Sequence, residues 1–336
     1  MIRIEEHHPI ASLNTFHDSY TCRYFAESDD IFELVSFLDE HRIQRYLIIG
    51  SGSNLLFTKN FQGAVLRPLL FGKHLINETD DSATVLIGAS EIFDEVVEWT
   101  LSQHLYGLEN LSLIPGTMGA APVQNIGAYG CEIKDSVQNV QCFDLFENTF
   151  VSFSNADCQF DYRNSFFKKN PGRYIIVAVS LKLSKTPHPK ADYPGIAEVI
   201  NQDFDGTLTS ETLRQAIIAI RKKKLPDTET FPNAGSFFKN PVISQTQFDT
   251  LLKQYPDIPH YPQKDGIKIP AAWCIDQAGW KGKSINGVST YKNQPLILIK
   301  TTTDTPGKTV VDYAHKLIDS VHEKFGITLV PEVNIF

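Results

Sequence analysis

The sequence predicts an α+β protein, and three features of its 336 residues lead to that prediction. Segments with helical spacing alternate with short apolar strands between residues 29 and 105. Segments that alternate apolar and polar residues, which favour antiparallel pairing, dominate residues 137–185. Beyond residue 212 the pattern returns mainly to helices. A chain of this length exceeds one hydrophobic core, so two or three domains are expected.

In the first part of the chain, helices and strands alternate. Residues 29–43 are predicted to form a helix, because apolar residues from Ile31 to Leu38 recur at helical spacing. Residues 91–105 are predicted to form a second helix on the same ground. The strands predicted around these helices cover residues 46–50, 64–69 and 84–89.

The middle of the chain has a different pattern. Residues 137–154 resemble a β-hairpin, and residues 173–185 alternate apolar and polar side chains over one long, half-buried strand. A proline-rich stretch, 186–196, is predicted to be a linker. An amphipathic helix follows over 212–224, and Pro226 ends it. A domain boundary is therefore expected in this region.

The last part of the chain is predicted to contain two helices and two strands. The helices cover residues 271–279 and 306–325, and Gly326 closes the second one. A strand is predicted at 295–301. The final stretch, ITLVPEVNIF, is predicted to be a strand as well.

Composition and charge exclude several classes of function. The net charge of −8 argues against nucleic acid or an anionic membrane as partner, since both call for a basic surface. No apolar run reaches the ~18 residues of a membrane span. Five widely spaced cysteines, with no C-x-x-C pair, predict reduced thiols, and the histidine spacing predicts no metal site. We therefore expect a cytoplasmic protein, and we expect it to be a monomer.

Two loops rich in small residues indicate a nucleotide cofactor. They are GSGSN (50–54), directly after a strand, and IPGTMGAAPVQNIGAYG (114–130). Glycines after a strand let backbone N–H groups approach a phosphate closely, so a dinucleotide is suggested. The Rossmann fingerprint is excluded, because Leu55 stands where it needs glycine and a strand follows where it needs a helix. A loop of about seventeen residues is usually functional, although a simple connector remains an alternative.

Seven motifs occur together and in order across nearly the whole chain. They are IGSGSNLLF, GLENLSLIPGTMGAAPVQNIGAYG, DYRNSFFK, KLPD, NAGSFFKNP, AAWCIDQAGWKG and PEV. Together they resemble the UDP-N-acetylenolpyruvoylglucosamine reductases, flavoenzymes of peptidoglycan synthesis. The resemblance implies a fold with an FAD-binding region of the vanillyl-alcohol-oxidase (PCMH-like) type, made of two α/β subdomains, followed by an α+β substrate domain.

The resemblance also implies domain boundaries and a cofactor site. We expect FAD-binding subdomains at 1–70, completed by 328–336, and at 71–214, and a substrate domain at 215–327. FAD is expected to bind non-covalently, with NADPH as co-substrate. The residues expected to hold FAD are Ser51, Gly52, Ser53, Asn54, Gly116, Thr117, Gly119, Asn125, Gly127, Ala128 and Gly130.

Three residues are expected to carry the chemistry. The implied substrate is UDP-N-acetylglucosamine enolpyruvate, whose reduction passes through an enolate that has to be stabilised and protonated. Ser236, in NAGSFFKNP, matches the family's proton donor, and its two phenylalanine neighbours are expected to exclude water from the hydroxyl. Arg163 matches the arginine that holds the substrate carboxylate, for which a planar guanidinium is suited. Glu332 matches the glutamate beside the reacting carbon.

Four further residues match substrate contacts of the family. Arg221 and Lys224 lie at the C-terminal end of a predicted helix, where the helix dipole favours cations. The dipole by itself is enough to explain Lys222 and Lys223, which lie between them. Asn240 and Tyr193 complete the set, the tyrosine matching one that a branch of the family places over the substrate diphosphate. The chain departs from the family pattern at Asn334, where a basic residue is usual.

Two other functions remain open at this point. An FAD-linked sugar or alcohol oxidase of the same fold often tethers its flavin to histidine or cysteine, and Cys131 is the one candidate near the glycine loops. A non-catalytic nucleotide-sugar-binding protein would not need Ser236, Arg163 and Glu332 together. The visible spectrum of the purified protein before and after addition of NADPH is the most informative test, because a colourless protein with no affinity for FAD would exclude both enzyme functions.

Overall fold

The structure of the chain, a computed structural model, describes all residues from 1 to 336. The helices are α1 (Ile31–Glu40), α2 (Phe93–Ser102), α3 (Phe166–Lys169), α4 (Ile196–Asp203), α5 (Ser210–Lys224), α6 (Gln245–Gln254), α7 (Ala271–Gln277) and α8 (Gly307–Phe325). The strands are β1 (Arg3–Glu6), β2 (Cys22–Ser28), β3 (Tyr46–Ile48), β4 (Leu55–Leu56), β5 (Phe61–Pro68), β6 (Lys73–Glu78), β7 (Ser82–Gly88), β8 (Gly127–Ala128), β9 (Cys131–Glu132), β10 (Val137–Asp144), β11 (Thr149–Ser154), β12 (Tyr174–Ser184), β13 (Val242–Ile243), β14 (Tyr261–Gln263), β15 (Gly266–Lys268), β16 (Ser284–Ile285), β17 (Val288–Tyr291), β18 (Gln294–Lys300) and β19 (Asn334–Ile335). No helix is both long enough and apolar enough to cross a membrane.

The chain folds into two compact units, each assembled from separate stretches of sequence. Unit 1 comprises Met1–His8, Cys22–Ser51 and Gln62–Lys223. Unit 2 comprises Pro9–Thr21, Gly52–Phe61 and Lys224–Phe336. The predicted α+β class is confirmed. The three-part division stays a prediction, and the structure places residues 328–336 in unit 2.

Two sheets form the framework of unit 1. The first has strand order β1-β2-β5-β3, with β1 and β2 antiparallel and β3 and β5 parallel. The second has order β11-β10-β12-β7-β6 and is antiparallel throughout, which confirms the hairpin at 137–154 and the long strand at 173–185. Val179 of β12 is paired with Ile87 and Val140 on either side, and all three side chains are buried. Their burial fixes the register, because a one-residue shift would turn these side chains to the opposite face.

Helix α1 packs on the first sheet and α2 on the second. Asp30 caps α1 by accepting a hydrogen bond from the backbone N–H of Phe32 at 2.8 Å. Leu34 of α1 packs against the first sheet, and Phe93 of α2 packs against the second. Both helices are shorter than the sequence predicted but lie at the predicted positions.

A small helical layer occupies the end of unit 1 before residue 224. The sequence predicted a linker at 186–196 and one helix, whereas the structure has two helices, α4 and α5. Helix α4 begins after Gly195, which adopts a left-handed φ of +89°. Ile196 and Ile200 of α4 pack against Leu213 and Ile217 of α5. The pattern of α4 was missed because two buried turns are too short to give a clear helical period.

Unit 2 is built around α8 and the antiparallel sheet β16-β17-β18. The buried face of α8 includes Val310, Leu317 and Phe325, and Gly326 caps it with a left-handed φ of +64°, as predicted. Helices α6 and α7 and the sheet β13-β15-β14 complete the unit. Of α6, α7 and the sheet β13-β15-β14, only α7 was predicted from the sequence.

The predicted final strand is wrong in its extent. Only Asn334 and Ile335 form a strand, β19, which pairs in parallel with β4. Proline at 331 has no N–H to donate, so the chain before β19 contributes only an isolated bridge between Phe238 and Pro331. The strand predicted after the first glycine loop is likewise only β4, two residues long.

Candidate active site

The second glycine loop, residues 114–130, is held in unit 1 by backbone hydrogen bonds to the segment before α2. The N–H of Gly119 donates to Ala89 O at 2.8 Å, and the N–H of Phe93 donates to Gly116 O at 3.0 Å. Thr117 is buried and forms a bridge with the same segment. The loop is therefore fixed in place although it contains almost no regular structure.

The backbone of this loop repeatedly adopts left-handed conformations. The φ angles are +121° at Gly116, +45° at Asn125, +48° at Tyr129 and +81° at Gly130. This conformation costs conformational free energy at Asn125 and Tyr129, because only glycine adopts it freely. Such strain clusters at ligand-binding loops, and its concentration here supports a functional role for the loop.

The glycines of the loops meet different needs. A Cβ on Gly50 would lie 2.4 Å from Thr117 Oγ1, and one on Gly127 would lie 2.8 Å from the backbone oxygen of Cys131, so close packing requires both glycines. A Cβ on the exposed Gly130 would meet no protein atom within 4 Å. Backbone is thus accessible at the Gly130 end of this small-residue loop. This geometry fits FAD, because such loops hold a pyrophosphate with backbone N–H groups.

Asn125 fixes the loop through its side chain. The buried carboxamide donates to Glu132 Oε2 at 2.9 Å and to Asp161 O at 3.1 Å, and it accepts from the N–H of Lys134 at 3.2 Å. These three bonds use its polar atoms within the protein. We therefore expect Asn125 to shape the cofactor loop rather than to contact FAD with its side chain.

Arg163 lies directly beside this loop. It occupies a tight turn closed by hydrogen bonds between Asp161 and Asn164, and its own φ is +52°. Its Nη2 donates to Gly127 O at 2.7 Å, and its Nη1 lies 3.4 Å from Asn125 O. The strained turn therefore holds a cation against the last part of the second glycine loop, at Asn125 and Gly127.

Tyr129 is a candidate site residue that the motifs did not single out. Its ring meets that of Tyr193 edge to face, with 5.2 Å between centroids, and its hydroxyl pairs with the guanidinium of Arg221. Burial raises the pKa of Tyr129, and Arg221 opposes that rise. Two predicted substrate residues therefore converge on Tyr129. Tyr129 lies in NIGAYG, the end of the second glycine loop. An aromatic side chain among small residues was the feature of the sequence that could have indicated it.

Arg221 is an unusual arginine because it is largely enclosed. Burial lowers the pKa of its guanidinium, and Tyr129 and Asp94 act against this. Its Nε is buried and has no hydrogen-bond partner in the structure. An unsatisfied donor of this kind is costly, and an anionic ligand would satisfy it.

Asp94 connects α2 to α5 and to Leu113, the residue just before the second glycine loop. It accepts hydrogen bonds from Arg214 Nη1 at 2.6 Å and Nη2 at 3.2 Å, and from the N–H of Leu113 at 2.5 Å. Burial favours the neutral carboxyl, yet Arg214 and the Leu113 N–H lower its pKa overall. This ion pair orients α5, the helix that carries Arg221.

The part of the first glycine loop that belongs to unit 2, residues 52–54, is bonded to the segment that contains Glu332. Gly52 has a φ of +67°, and a Cβ there would lie 1.9 Å from Leu13 O. The Nδ2 of Asn54 donates to Glu332 O at 3.2 Å. Asn334, which departs from the family pattern, donates to Asn54 O from its backbone at 3.1 Å and from its side chain at 3.3 Å. Of the loop's two serines, Ser51 is exposed in unit 1 and Ser53 is half-buried in unit 2.

Ser236 lies in a turn that its neighbours define. Asn233 Oδ1 accepts from the N–H of Gly235 at 2.8 Å, and Gly235 has a φ of +68°. A Cβ on Gly235 would meet no protein atom within 4 Å, so the space beside the serine is open. Ser236 itself is exposed and bridges to Ile297 of β18.

The expectation that the two phenylalanines shield the serine hydroxyl is wrong. Phe237 and Phe238 are each 1% exposed and belong to the core of unit 2, where apolar burial favours them. They act as anchors for the turn. The N–H of Glu332 donates to Phe237 O at 2.8 Å, and this pairing sets Glu332 next to the Ser236 turn.

A buried ion pair lies beneath this turn. Lys300 Nζ is 2.6 Å from Asp18 Oδ1, and the two side chains are 1% and 0% exposed. The N–H of Lys300 donates to Pro232 O at 2.9 Å, and the N–H of Asn233 donates to Thr15 O at 3.0 Å. The pair therefore joins two distant stretches of sequence at the base of the Ser236 turn. No sequence motif indicated it.

The remaining predicted substrate residues lie at element ends. Asn240 Oδ1 accepts from the N–H of Ala271 at 2.9 Å and so caps α7. Lys224 is the last residue of α5 and is exposed. Ala128 is half-buried in the short strand β8. No group of three or more histidine, cysteine, aspartate or glutamate side chains could hold a metal ion.

Cys131, the candidate for a covalent flavin link, is buried, and burial raises the pKa of its thiol. A thiol in this state is a poor nucleophile. The predicted residues thus form two groups. In unit 1 Arg163 lies at the flavin loop, and Tyr193 and Arg221 converge on Tyr129. In unit 2 Ser236, Glu332 and Asn54 lie on bonded segments.

Comparison with known proteins gives matches along the whole chain. A family model described as "UDP-N-acetylenolpyruvoylglucosamine reductase, C-terminal domain" matches residues 226–336, and one described as "FAD binding domain" matches residues 23–148. A reductase of that name from Bacteroides fragilis strain YCH46 is 40% identical over 334 residues, covering 98% of this chain and 99% of its own. The one from Pseudomonas aeruginosa PAO1 is 38% identical over 339 residues, covering 100% and 99%.

A solved structure shares the fold. The crystal structure of UDP-N-acetylenolpyruvylglucosamine reductase from Thermus caldophilus superposes with a TM-score of 0.69 at 20% identity and covers 100% of both chains.

Proposed function

The chain belongs to the UDP-N-acetylenolpyruvoylglucosamine reductase family, and on that premise we propose that it reduces UDP-N-acetylglucosamine enolpyruvate to UDP-N-acetylmuramate. The predicted flavin-dependent fold, an FAD-binding region followed by a C-terminal domain, is confirmed by the two family models. We propose that NADPH is the electron donor and that the product enters peptidoglycan precursor synthesis in the cytoplasm, serving cell-wall biogenesis, cell shape and cell division. The observation that carries the proposal is the pairing that sets Glu332 beside Ser236.

The cofactor supplies the hydride. The loops at 50–54 and 114–130 would hold FAD, and bound FAD, once reduced by NADPH, would supply a hydride for the CH₂ carbon of the enolpyruvyl group. All other steps depend on side chains of this chain.

Arg163 stabilises the charge that develops on the substrate. Addition of hydride to the terminal carbon leaves an enolate on the neighbouring carbon and its carboxylate. The guanidinium of Arg163 offers planar, paired donors to such a carboxylate. The strained turn at 161–164 holds it beside the flavin loop before substrate arrives, so little reorganisation is needed.

Ser236 delivers the proton that completes the reaction. Its hydroxyl protonates the carbon adjacent to the site of hydride addition, so one hydride and one proton are added and no group leaves. A serine hydroxyl is a weak acid and needs support. The backbone bond between Glu332 and Phe237 brings residue 332 next to the turn, and we assign to the Glu332 carboxyl group the tuning or relay of this proton.

The substrate diphosphate is recognised by a cationic and aromatic set. Arg221 has a buried Nε without a partner, and an anionic oxygen would satisfy it. Tyr129 and Tyr193 lie against each other beside Arg221, and Lys224 follows one turn later on α5. Asn240, which belongs to unit 2, stays a separate predicted substrate contact. Binding of the enolpyruvyl nucleotide thus relies on charge and on aromatic contact.

The proposal is tested by separating the two half-reactions. The purified protein should be yellow, should lose its flavin absorbance on anaerobic addition of NADPH, and should regain it when the enolpyruvyl nucleotide is added. Product analysis should show one equivalent of UDP-N-acetylmuramate for each NADPH consumed. A flavoprotein that is reoxidised by oxygen alone, and not by the enolpyruvyl nucleotide, would refute the proposal.

A further inference from the structure

Asn110 connects two parts of unit 1 through a single side chain. It lies in a short helical turn before the flavin loop and is 3% exposed. Its Nδ2 donates to Tyr129 O at 3.0 Å and to Lys190 O at 2.9 Å. The two carbonyls are 61 positions apart in sequence, so one buried carboxamide joins the flavin loop to the segment before Tyr193.

The segment that carries Tyr193 is short and is fixed at both ends. Its first fixed point is the carbonyl of Lys190, which Asn110 holds. Its second is Ile196, which is 0% exposed and begins α4 in the small core against α5. Between these points lie five residues, most of them exposed, including Tyr193 at 43%.

The position of the Tyr193 ring therefore depends on both ends. Ala191 is half-buried and packs at the edge of the α4–α5 core, and the N–H of Ile196 donates to Tyr193 O at 3.2 Å. The Ile196 bond fixes the second end, whereas the packing of Ala191 helps to hold the first. The first end has Asn110 as the hydrogen-bond donor to its carbonyl, and the same side chain fixes the Tyr129 backbone on which the Tyr193 ring packs.

We propose that Asn110 is a positioning residue, which holds Tyr129 and Tyr193 in fixed positions relative to each other for binding of the substrate diphosphate. The inference rests on the proposed function for the identity of that ligand. Replacement of Asn110 removes both donors, because no apolar side chain can bond two carbonyls. The first end of the Tyr193 segment then keeps only the packing of Ala191, so the segment is held less firmly and the binding of substrate weakens, while the second glycine loop keeps its other bonds.

The chain offers a direct readout of this bond and a matched control. Trypsin cleaves after lysine, and the carbonyl that Asn110 holds belongs to the Lys190–Ala191 peptide bond itself. Asn155 has the same chemistry at a different place: its Nδ2 donates to Lys134 O at 2.8 Å and to Val137 O at 2.7 Å. Asn155→Ala therefore removes the same kind of paired hydrogen bonds from one carboxamide to two carbonyls, and it leaves the contacts of the Tyr193 segment unchanged.

The first measurement is tryptic cleavage of the FAD-loaded protein, followed by mass spectrometry. Asn110→Ala should be cleaved at Lys190–Ala191 about tenfold or more faster than wild type, because local opening no longer breaks two hydrogen bonds. Asn155→Ala should be cleaved there at the wild-type rate. An unchanged rate in Asn110→Ala would overturn the proposal, whether or not the protein reduces the enolpyruvyl nucleotide.

The second measurement is a double-mutant cycle on the KM for the enolpyruvyl nucleotide. Asn110→Ala should raise KM about tenfold, with kcat within about twofold of wild type, and should add little in a Tyr193→Phe background. Faster cleavage with an unchanged KM, or additive effects of the two substitutions, would overturn the positioning role. If wild type does not turn over the nucleotide, the proposed function fails while the cleavage measurement still decides the anchoring role. Asn110→Asp, which keeps the volume, replaces the alanine variant should that one not fold.

Discussion

Replacing Lys300 by methionine should destabilise unit 2 strongly, and the loss should depend on pH. Lys300 and Asp18 are 2.6 Å apart and almost completely buried. Methionine fills a similar volume but leaves the Asp18 carboxylate without its cation. Breaking a buried ion pair from one side costs about 3–5 kcal/mol. We therefore expect the free energy of unfolding at pH 7 to fall by about that amount.

The pH dependence follows from the direction in which the pKa of Asp18 is shifted. Burial raises this pKa above its ordinary value, and Lys300 and the N–H of Phe57 only partly offset the rise. Removing Lys300 raises it further, so the folded variant holds a proton on Asp18 at a pH where the unfolded chain does not. A group bound more tightly to its proton in the folded state adds stability as the pH falls. The loss caused by Lys300→Met should therefore shrink by up to about 1.4 kcal/mol per pH unit between pH 7 and pH 5.

Urea unfolding, followed by tryptophan fluorescence, measures this loss, and Trp280 reports from the core of unit 2. Lys281→Met is the control, because the Lys281–Asp276 pair is 3.2 Å long but 50% and 44% exposed. Its loss should stay below about 1 kcal/mol. If Lys300→Met is no less stable than this control, or if its loss does not change with pH, the reasoning is refuted.

A second substitution tests the same reasoning by rescue. Asp18 Oδ2 also accepts from the N–H of Phe57 at 2.8 Å, so a leucine at 18 would leave that N–H unsatisfied. Asparagine keeps an acceptor and carries no charge. Asp18→Asn combined with Lys300→Met should therefore recover most of the stability, and should do so at every pH. A double variant as unstable as Lys300→Met alone would show that the unpaired charge is not the cause.

Three further outcomes are expected. Ser236→Ala should leave flavin reduction by NADPH near the wild-type rate in stopped flow but slow reoxidation by the enolpyruvyl nucleotide on the order of 10²–10⁴-fold, the worth of a positioned acid; Ser236→Cys should recover part of it, and equal slowing of both half-reactions would contradict the assignment. Glu332→Gln, which keeps the backbone bond to Phe237, should also slow only reoxidation, and full activity would remove Glu332 from the mechanism. Acid denaturation should release intact FAD into the supernatant, because the buried Cys131 thiol is unreactive; flavin found in the precipitate would indicate a covalent link.

The sequence predicted best where the pattern is long and regular. The strand at 173–185 and the helix ended by Gly326 were found because each has many turns or alternations. Helix α4 was missed because a linker rich in proline precedes it and only two of its residues are fully buried within a short span. Tertiary packing, which a local pattern does not record, creates that helix.

The site was predicted through motifs, and its supporting contacts were not. Arg163 and Ser236 stand in recognisable motifs, whereas the left-handed φ of Arg163 and the exposed state of Ser236 follow only from the folded chain. The ion pair of Asp18 with Lys300 joins residues 282 positions apart, and neither lies in a motif. Such long-range pairs have no local signal, so physical reasoning from one sequence does not reach them.

The composition of unit 2 has a consequence for the order in which the protein folds. During synthesis residues 9–21 and 52–61 leave the ribosome early, yet their partners in unit 2 lie between residues 224 and 336. Asp18 therefore remains hydrated and charged until Lys300 has been synthesised. The N–H and the hydroxyl of Thr58 donate to Phe336 O at 2.8 Å and 2.7 Å, and these bonds form only after Phe336 has been synthesised. Contacts this distant in sequence are slow to form. Unit 1 can assemble first, whereas unit 2 can form completely only after the residues up to Phe336 have been synthesised.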